Sequence, residues 1–436
     1  MSVNQKSYLK LRKKKIAILG LGYVGLPLAL EFGRKFETLG YDISNERIKE
    51  LRFKKDINLL SSKKDFLQSK KISFTSTEKN LLDCNIFIIT VPTPVKKNKN
   101  PDLSYLTKAT KTVAKYLKIN DFVIYESTVY PGLTEEHCIP ILEKLSKLKL
   151  NLDFFVGYSP ERINPGDGKS IKNINKVVSG STPKSTTFIY SLYKSIIKAQ
   201  VFKAKSIKVA EASKIIENAQ RDINISFMNE LSLIFKKLNI NTQDVLDAAK
   251  TKWNFLDFKP GLVGGHCISV DPYYLTYKAK KHHYSPKVIL SGRDINNNMG
   301  YFIAKVLLKK LKKNNLKLSK CTVGIFGITY KENSNDIRDS KVLDIIKVIK
   351  KSEIKLRIYD PIANQNEFKK YFPDLKIKKI KEKLDALIIA VPHKEFLKLN
   401  YSKLTKLLKN NNFIIIDIKS ILSEKIIKDK YDYWSL

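Results

Sequence analysis

Cys267 and Asp271 stand four residues apart in "GLVGGHCISVDPYYL" (residues 261–275), directly behind Gly264 and Gly265. A thiolate beside an oxidisable aldehyde adds to its carbon; the adduct loses hydride to an acceptor, and water cleaves the resulting thioester to an acid. The two glycines would admit a substrate close to the backbone, and a nearby cation such as Lys214 would lower the thiol pKa. A free cysteine is more often a small buried hydrophobe. His266 and Asp271 keep the covalent chemistry open beside that plainer role.

Such chemistry needs a hydride acceptor, and the N-terminal stretch supplies a place for one. "KIAILG" (15–20) is a short β-branched apolar run, "GLGYVG" follows, "LPLALEFGRKF" has a helical pattern, and "ETLGYD" ends a second strand in Asp42. Strand, glycine turn, helix, strand and acid come in the order a dinucleotide fold requires. Gly20 permits the tight turn, Gly22 the approach of a pyrophosphate, and Gly25 close helix packing; Tyr23 and Val24 complete the candidate cofactor turn. A carboxylate at Asp42 can accept from both ribose hydroxyls and repels a 2′-phosphate, so NAD is favoured over NADP. The later strands "CNIFIITVPTP" and "DFVIYESTVYPG" end in small hydroxyl residues, which places Thr93, Ser127 and Thr128 at the carboxyl edge where such sheets bind ligands.

From 206 to about 245 the pattern is helical. Lys214, Asn218 and Arg221 follow an i, i+4, i+7 spacing and share one face, while Ala210, Ile215, Ala219, Ile223 and Phe227 spread apolar surface around the rest. A deeply packed helix carrying a lysine beside an asparagine needs a partner or a purpose for them. After residue 315 strand-like runs return in "CTVGIFGITYKENSNDIRDS", "LRIYDP", "LDALIIAVPH" and "NNFIIIDIKS", an imperfect echo of the first part without its GxGxxG. The expected fold is α/β, two Rossmann-like doubly wound domains joined by a long central helix.

Composition agrees with a globular protein. The 436 residues suffice for two or three domains, and no apolar run reaches the length of a membrane span. The polar start "MSVNQKSYLKLRKKK" lacks the apolar core of a signal peptide, and Cys84, Cys138, Cys267 and Cys321 show no paired or metal-like spacing; a cytoplasmic location is expected, and no metal. The net charge of +39 is carried by lysines dispersed over the whole chain, which argues for a solvated coat and against nucleic-acid binding. Only nine residues are arginine, so each marks a place where a planar fork for phosphate or carboxylate is wanted.

"GLGYVG" with Asp42, "VPTP", "ESTVYPG", "SPERINPG", "EASKIIENAQRDIN", "GGHCISVDPYYL" and "YKENSNDIRDS" stand in the order and spacing of the UDP-glucose/UDP-N-acetyl-hexosamine 6-dehydrogenase family, which the chain resembles from about residue 13 to 425. "GGHCI-x-VDPYYL" followed by "SGRDINNNMG" is most similar to the branch acting on UDP-N-acetylglucosamine or UDP-N-acetylgalactosamine. The resemblance implies Cys267 as nucleophile, Asp271 and Lys214 managing protons and the oxyanion, and Asn218 assisting with developing charge. It implies Glu161 as general base for thioester hydrolysis, with Thr128 near its water. Arg162, Ile163, Arg221, Gly264, Tyr330 and Lys331 match substrate-binding positions, and Arg47 and Arg338 match cofactor contacts. Two departures tell against UDP-glucose. Pro165 replaces a second glutamate four residues after Glu161, and the arginine that reaches across the dimer has no match in "TKWNFLDFKPG", where Lys252 or Asn254 could take its place.

The resemblance implies an NAD-binding domain at 13–203, a central helical dimerisation domain at 204–312 and a UDP-sugar-binding domain at 315–436, in a homodimer. The expected reaction is NAD-dependent four-electron oxidation of C6 of a UDP-N-acetyl-hexosamine to the uronic acid, a precursor of surface polysaccharide such as capsule or O-antigen. UDP-glucose or UDP-N-acetylmannosamine are the alternative substrates. A two-electron 3-hydroxyacid dehydrogenase using Lys214 and Asn218 is the alternative enzyme, and it leaves Cys267 without a role.

Overall fold

The computed structural model describes residues 14–57, 61–96, 98–163, 170–265, 268–409, 413–422 and 431–436. The chain divides into two compact units, one of Met1–Glu217 with Tyr273–Ser285 and the other of Asn218–Pro272 with Pro286–Leu436. Each is built on its own sheet.

The first unit holds strands β1 (Ile16–Leu19), β2 (Thr38–Tyr41), β3 (Ile72–Thr75), β4 (Ile86–Ile89), β5 (Asp121–Tyr125), β6 (Phe154–Tyr158), β7 (Lys176–Gly180) and β8 (Val201–Lys203). Their order is β3-β2-β1-β4-β5-β6-β7-β8, and the first six run parallel in the strand order of a dinucleotide fold. "IAIL" and "IFII" are buried along their whole length, as strands covered on both faces must be. Strand β7 runs antiparallel to β6 and starts a short extension with β8.

The second unit holds β9 (Thr322–Phe326), β10 (Lys355–Tyr359), β11 (Ala386–Ile389), β12 (Ile414–Asp417) and β13 (Asp432–Ser435), all parallel in the order β10-β9-β11-β12-β13. The echo seen in the sequence extends to single hydrogen bonds. In the first unit Gly20 N–H donates to the Tyr41 carbonyl at 2.9 Å and Leu21 N–H to Asp42 Oδ2 at 2.8 Å. In the second, Gly327 N–H donates to the Tyr359 carbonyl at 2.9 Å and Ile328 N–H to Asp360 Oδ2 at 2.7 Å. The acid closing the second strand thus pins the turn after the first in both units. In the second, His393 Nε2 also lies 3.0 Å from Asp360 Oδ2, which adds an imidazole to the carboxylate's partners.

The long helix spans Ile207–Lys237 and is shorter than the helical pattern in the sequence suggests. Asn239 takes a left-handed conformation (φ 56°), and the Asn241 side chain accepts from the amides of Gln243 and Asp244 to start a new helix, Thr242–Ala249. Two asparagines suited to a stop and a cap override the continuing apolar period. Ala210, Ile215 and Ala219 are buried as expected, whereas Phe227 is 51% exposed. Among the described residues no helix is long and apolar enough to cross a membrane, and no cluster of His, Cys, Asp and Glu could hold a metal ion.

Candidate active site

The glycine turn of the first unit packs tightly at its start and end and is open in the middle. Gly20 has φ 95°, and a Cβ on Gly25 would lie 1.8 Å from the Gly20 carbonyl oxygen and 2.5 Å from Thr90 Oγ1, so the helix Gly25–Gly33 seats against β1 only with glycine there. A Cβ on Gly22 would meet nothing within 4 Å, which leaves room for a pyrophosphate above the turn. In the first turn of that helix Leu26 N–H donates to the Gly22 carbonyl at 3.3 Å, Pro27 carries no N–H, and Val24 adds no side-chain cap. Asp42 accepts from Leu21 N–H at 2.8 Å and from Ser44 N–H at 2.9 Å, which fixes its carboxylate at the end of β2. Arg47 donates to the Leu21 carbonyl (2.9 Å), Glu50 (2.9 Å) and Asp56 (3.0 Å). Its fork braces the turn and is itself held by two carboxylates. These residues fit a dinucleotide carrying free ribose hydroxyls.

The hydroxyl residues at the strand ends tie the segments that follow β4 and β5 to each other. Thr93 Oγ1 donates to the Thr128 carbonyl at 2.7 Å, Ser127 Oγ to the Val91 carbonyl at 2.6 Å, and Tyr274 Oη to the Thr93 carbonyl at 2.9 Å.

Glu161 is buried beyond the end of β6. Its Oε1 accepts from the amides of Arg162 (2.6 Å) and Ile163 (2.5 Å), and Oε2 lies 3.4 Å from Lys176 Nζ. Lys176 also donates to Glu126 Oε2 at 2.6 Å, and Tyr193 donates to the other Glu126 oxygen. Burial pushes the Glu126 carboxyl up, against the pull of Lys176. Sequence reasoning missed Glu126, Lys176 and Tyr193. Arg162 pairs with Glu217 and donates to the Asn175 carbonyl at 3.3 Å, while Ile163 leans on the hydrophobic core of the unit. Lys214 is half-buried on the long helix.

In the second unit the Asn218 amide donates to Asp271 Oδ2 at 2.5 Å, and both residues are buried. Asp271 opens the helix Asp271–Lys281. Arg221 is exposed. The buried polar stripe of the long helix is Asn218, Asp222, Ser226 and Asn229, one step round from the Lys214–Asn218–Arg221 stripe expected. Asp222 accepts from Arg293 (2.7 Å) and Asn296 (2.7 Å), and Asn229 donates to Asn296 Oδ1 (2.8 Å), tying the long helix to the helix Lys287–Lys313. The "SGRDINNNMG" arginine therefore serves a buried ion pair.

The neighbours of Gly264 and Gly265 are protein. A Cβ on Gly264 would lie 2.5 Å from the Asp339 carbonyl oxygen, and one on Gly265, at φ 83°, 2.5 Å from the Tyr330 ring. The close approach they permit is to the Tyr330–Ser340 loop, so the "GLVGG" and "YKENSNDIRDS" motifs meet. Lys331 Nζ lies 5.6 Å from the Tyr330 ring centre, and the Arg338 fork grips Asp336. Cys267, His266 and Pro165 lie outside the described residues. The other three cysteines are free and buried. Burial pushes the Cys84 thiol up to about 11 and the Cys138 thiol up to about 12, and raises Cys321, which disfavours the thiolate in all three.

A glycine turn followed by an acid at the end of the second strand in one unit, and in the other a buried amide–carboxylate pair and a second sheet lacking the glycine motif, fit an NAD-dependent dehydrogenase. Comparison with known proteins gives the family. Models of the NAD-binding, central and UDP-binding domains of the UDP-glucose/GDP-mannose dehydrogenase family match residues 14–197, 208–298 and 324–424. The chain belongs to that family. It is 47% identical over 410 residues to a UDP-N-acetyl-D-glucosamine 6-dehydrogenase of Salmonella typhi, covering 94% of this chain and 96% of that one. It is 48% identical over 426 residues to Protein CapL of Staphylococcus aureus, covering 97% of this chain and all of that one. Its fold is similar to the solved UDP-D-ManNAc dehydrogenase of Pyrococcus horikoshii, with a TM-score of 0.86 and 32% identity over 96% of this chain and 98% of that one.

Proposed function

We propose that this chain oxidises the C6 hydroxyl of a UDP-N-acetyl-hexosamine, in the gluco or galacto configuration, to the uronic acid, in service of surface polysaccharide. The reading is carried by the near full-length similarity to UDP-N-acetyl-D-glucosamine 6-dehydrogenases of two bacteria, each 47% identical. Pro165, in place of the glutamate that UDP-glucose enzymes carry, argues against UDP-glucose.

The roles divide as follows. Bound NAD supplies the hydride acceptor for both oxidations. Gly20, Gly22, Tyr23, Val24 and Gly25 shape its pyrophosphate seat, Asp42 takes the ribose hydroxyls, and Arg47, Thr93 and Arg338 border it. Lys214 and Asp271 move the C6 proton, and Asn218 orients the Asp271 carboxylate through the bond already formed. The Cys267 thiolate adds to the aldehyde carbon and keeps the intermediate covalent until Glu161, with Thr128, deprotonates the hydrolytic water. Arg162, Ile163, Arg221, Gly264, Tyr330 and Lys331 receive the UDP-sugar.

The chain pairs as a cytoplasmic homodimer in this reading, over a central domain at 204–312 between the NAD-binding part (13–203) and the UDP-sugar part (315–436). Val209, Ile216, Phe227 and Ile234 leave the long helix with apolar side chains between 44% and 55% exposed, and such a helix wants a covering surface. The test of function is a panel of UDP-sugars with NADH formation and product identity as readouts. Turnover should be highest with UDP-N-acetylglucosamine or UDP-N-acetylgalactosamine and yield two NADH per acid; highest efficiency with UDP-glucose or UDP-N-acetylmannosamine would reassign the substrate.

A further inference from the structure

A buried ammonium sits between two carboxylates beneath the strand ends of the first unit. Lys176, the first residue of β7, places Nζ 2.6 Å from Glu126 Oε2 and 3.4 Å from Glu161 Oε2; the three side chains are 2%, 0% and 9% exposed. Glu126 follows β5, Glu161 follows β6, and Tyr193 lies in the helix Pro183–Lys194 with its hydroxyl on Glu126 and its ring 5.4 Å from the ammonium. Each of these elements contributes one group. Burial works against the Lys176 charge, and the two carboxylates outweigh it, so the side chain remains an ammonium.

Buried ion pairs are weak sources of stability, and apolar residues of the same volume commonly do as well. This one touches the carboxylate given a proton-transfer role above, and its geometry is lopsided. The ammonium is committed to Glu126, whose second oxygen is filled by Tyr193, and reaches Glu161 only at the longer distance. Glu161 meanwhile has Oε1 saturated by two amides of its own loop, so Oε2 is the oxygen left to exchange a proton. A symmetric ion pair would hold Oε2 tightly and make it a poor base.

We propose that Lys176 is a positioning residue that orients Glu161 and sets its ionisation for the hydrolytic half-reaction, with Glu126 and Tyr193 drawing part of the ammonium's charge away from it. The inference rests on the reading of Glu161 as the base for thioester hydrolysis.

The test follows the decay of the enzyme-bound thioester by acid quench in single turnovers of the full chain with NAD and the preferred sugar of the panel, from pH 5 to 9. Lys176→Met should move the rise of the rate with pH to higher pH by about one unit or more, because an opposite charge within reach of a carboxylate favours its ionised form by that order. Glu126→Gln, nearly isosteric, should move the same rise to lower pH, because Lys176 then answers to Glu161 alone. Tyr193→Phe frees one Glu126 oxygen, draws the ammonium further from Glu161 and should give a smaller shift in the direction of Lys176→Met. A purely structural cluster would lower rates alike at all pH values or leave the rise in place, and either result overturns the proposal. If Lys176→Met does not fold, Glu126→Gln decides alone. Glu161→Gln separates the two layers: loss of thioester hydrolysis in that variant with no shift in the others removes only the role of Lys176, whereas hydrolysis at the wild-type rate removes Glu161 as base and this proposal with it.

Discussion

The side-chain amide of Asn218 donates to the Asp271 carboxylate across 2.5 Å, and neither residue is more than 9% exposed. A buried carboxylate held by a side-chain amide keeps one direction, which suits proton transfer. Asp271→Asn preserves the shape and removes the acceptor. We expect kcat with the preferred UDP-sugar to fall by about 10² to 10⁴, the range for a lost acid–base group, with the KM for NAD within about twofold of wild type. Steady-state kinetics with NADH readout checks this, and a kcat within tenfold of wild type would remove Asp271 from the chemistry.

Local signals carried much of the fold. The β1 run, the glycine turn and Asp42 were legible because strand, turn and acid lie within about thirty residues and each has a distinct residue type. Strands β9 to β12 announced themselves by the same apolar density. The polar stripe of the long helix was misplaced by one residue, because spacing alone cannot show which of two adjacent stripes faces Arg293 and Asn296. The Glu126–Lys176–Glu161 cluster was invisible for a related reason. Its members are separated by 50 and 15 residues and sit on three elements whose strand order no local pattern gives. Strand β13, "DYWS", was missed because four residues with two polar ends carry too little periodicity.

Asp42 should govern cofactor choice. Its two oxygens already take the amides of Leu21 and Ser44, so it is fixed before any ribose arrives, and a 2′-phosphate would meet a carboxylate that cannot turn away. NADP should be used far less efficiently than NAD. Asp42→Ala should raise the KM for NAD by about tenfold or more, since one hydrogen bond to a charged group contributes roughly 1.5–3 kcal/mol. Titration of both cofactors measures it, and comparable efficiency with the two would contradict the role.

Cys267 follows the glycines whose close approach is spent on Asp339 and Tyr330. The three cysteines that the structure describes are buried, with their thiols raised, and Cys267 is the candidate nucleophile. Cys267→Ala should reduce acid formation by at least ~10³, the scale for a deleted covalent nucleophile, while UDP-sugar and NAD still bind. Hydroxylamine should trap an aldehyde from the variant and none from wild type. Uronic acid formed by the variant near the wild-type rate would make Cys267 a packing residue.

Glu211 gives the fold a pH dependence that can be assigned. It is fully buried on the long helix, accepts from Gly132 N–H at 2.5 Å and Thr134 N–H at 3.0 Å, and burial pushes its carboxyl up to about 7, against those amides. A carboxyl whose folded value lies above its unfolded one keeps a proton that the unfolded chain has already released. Its contribution to stability is therefore complete below about 4.5 and is lost as pH rises through about 7. At 1.36 kcal/mol per unit the loss is on the order of 3 to 4 kcal/mol. Carboxyls held low, such as Asp360, act in the opposite sense and only in more acid solution, so they leave the window from pH 5 to 8 clear. Glu126 is raised as well and shares that window, which makes the comparison with a Glu211→Gln variant necessary. Gln is neutral throughout, so the unfolding free energy of the variant should fall less between pH 5 and 8 than that of wild type, the two curves converging or crossing as pH rises. Denaturant melts at four or five pH values measure both slopes, and parallel curves would show that Glu211 is ionised in the folded protein across the whole window.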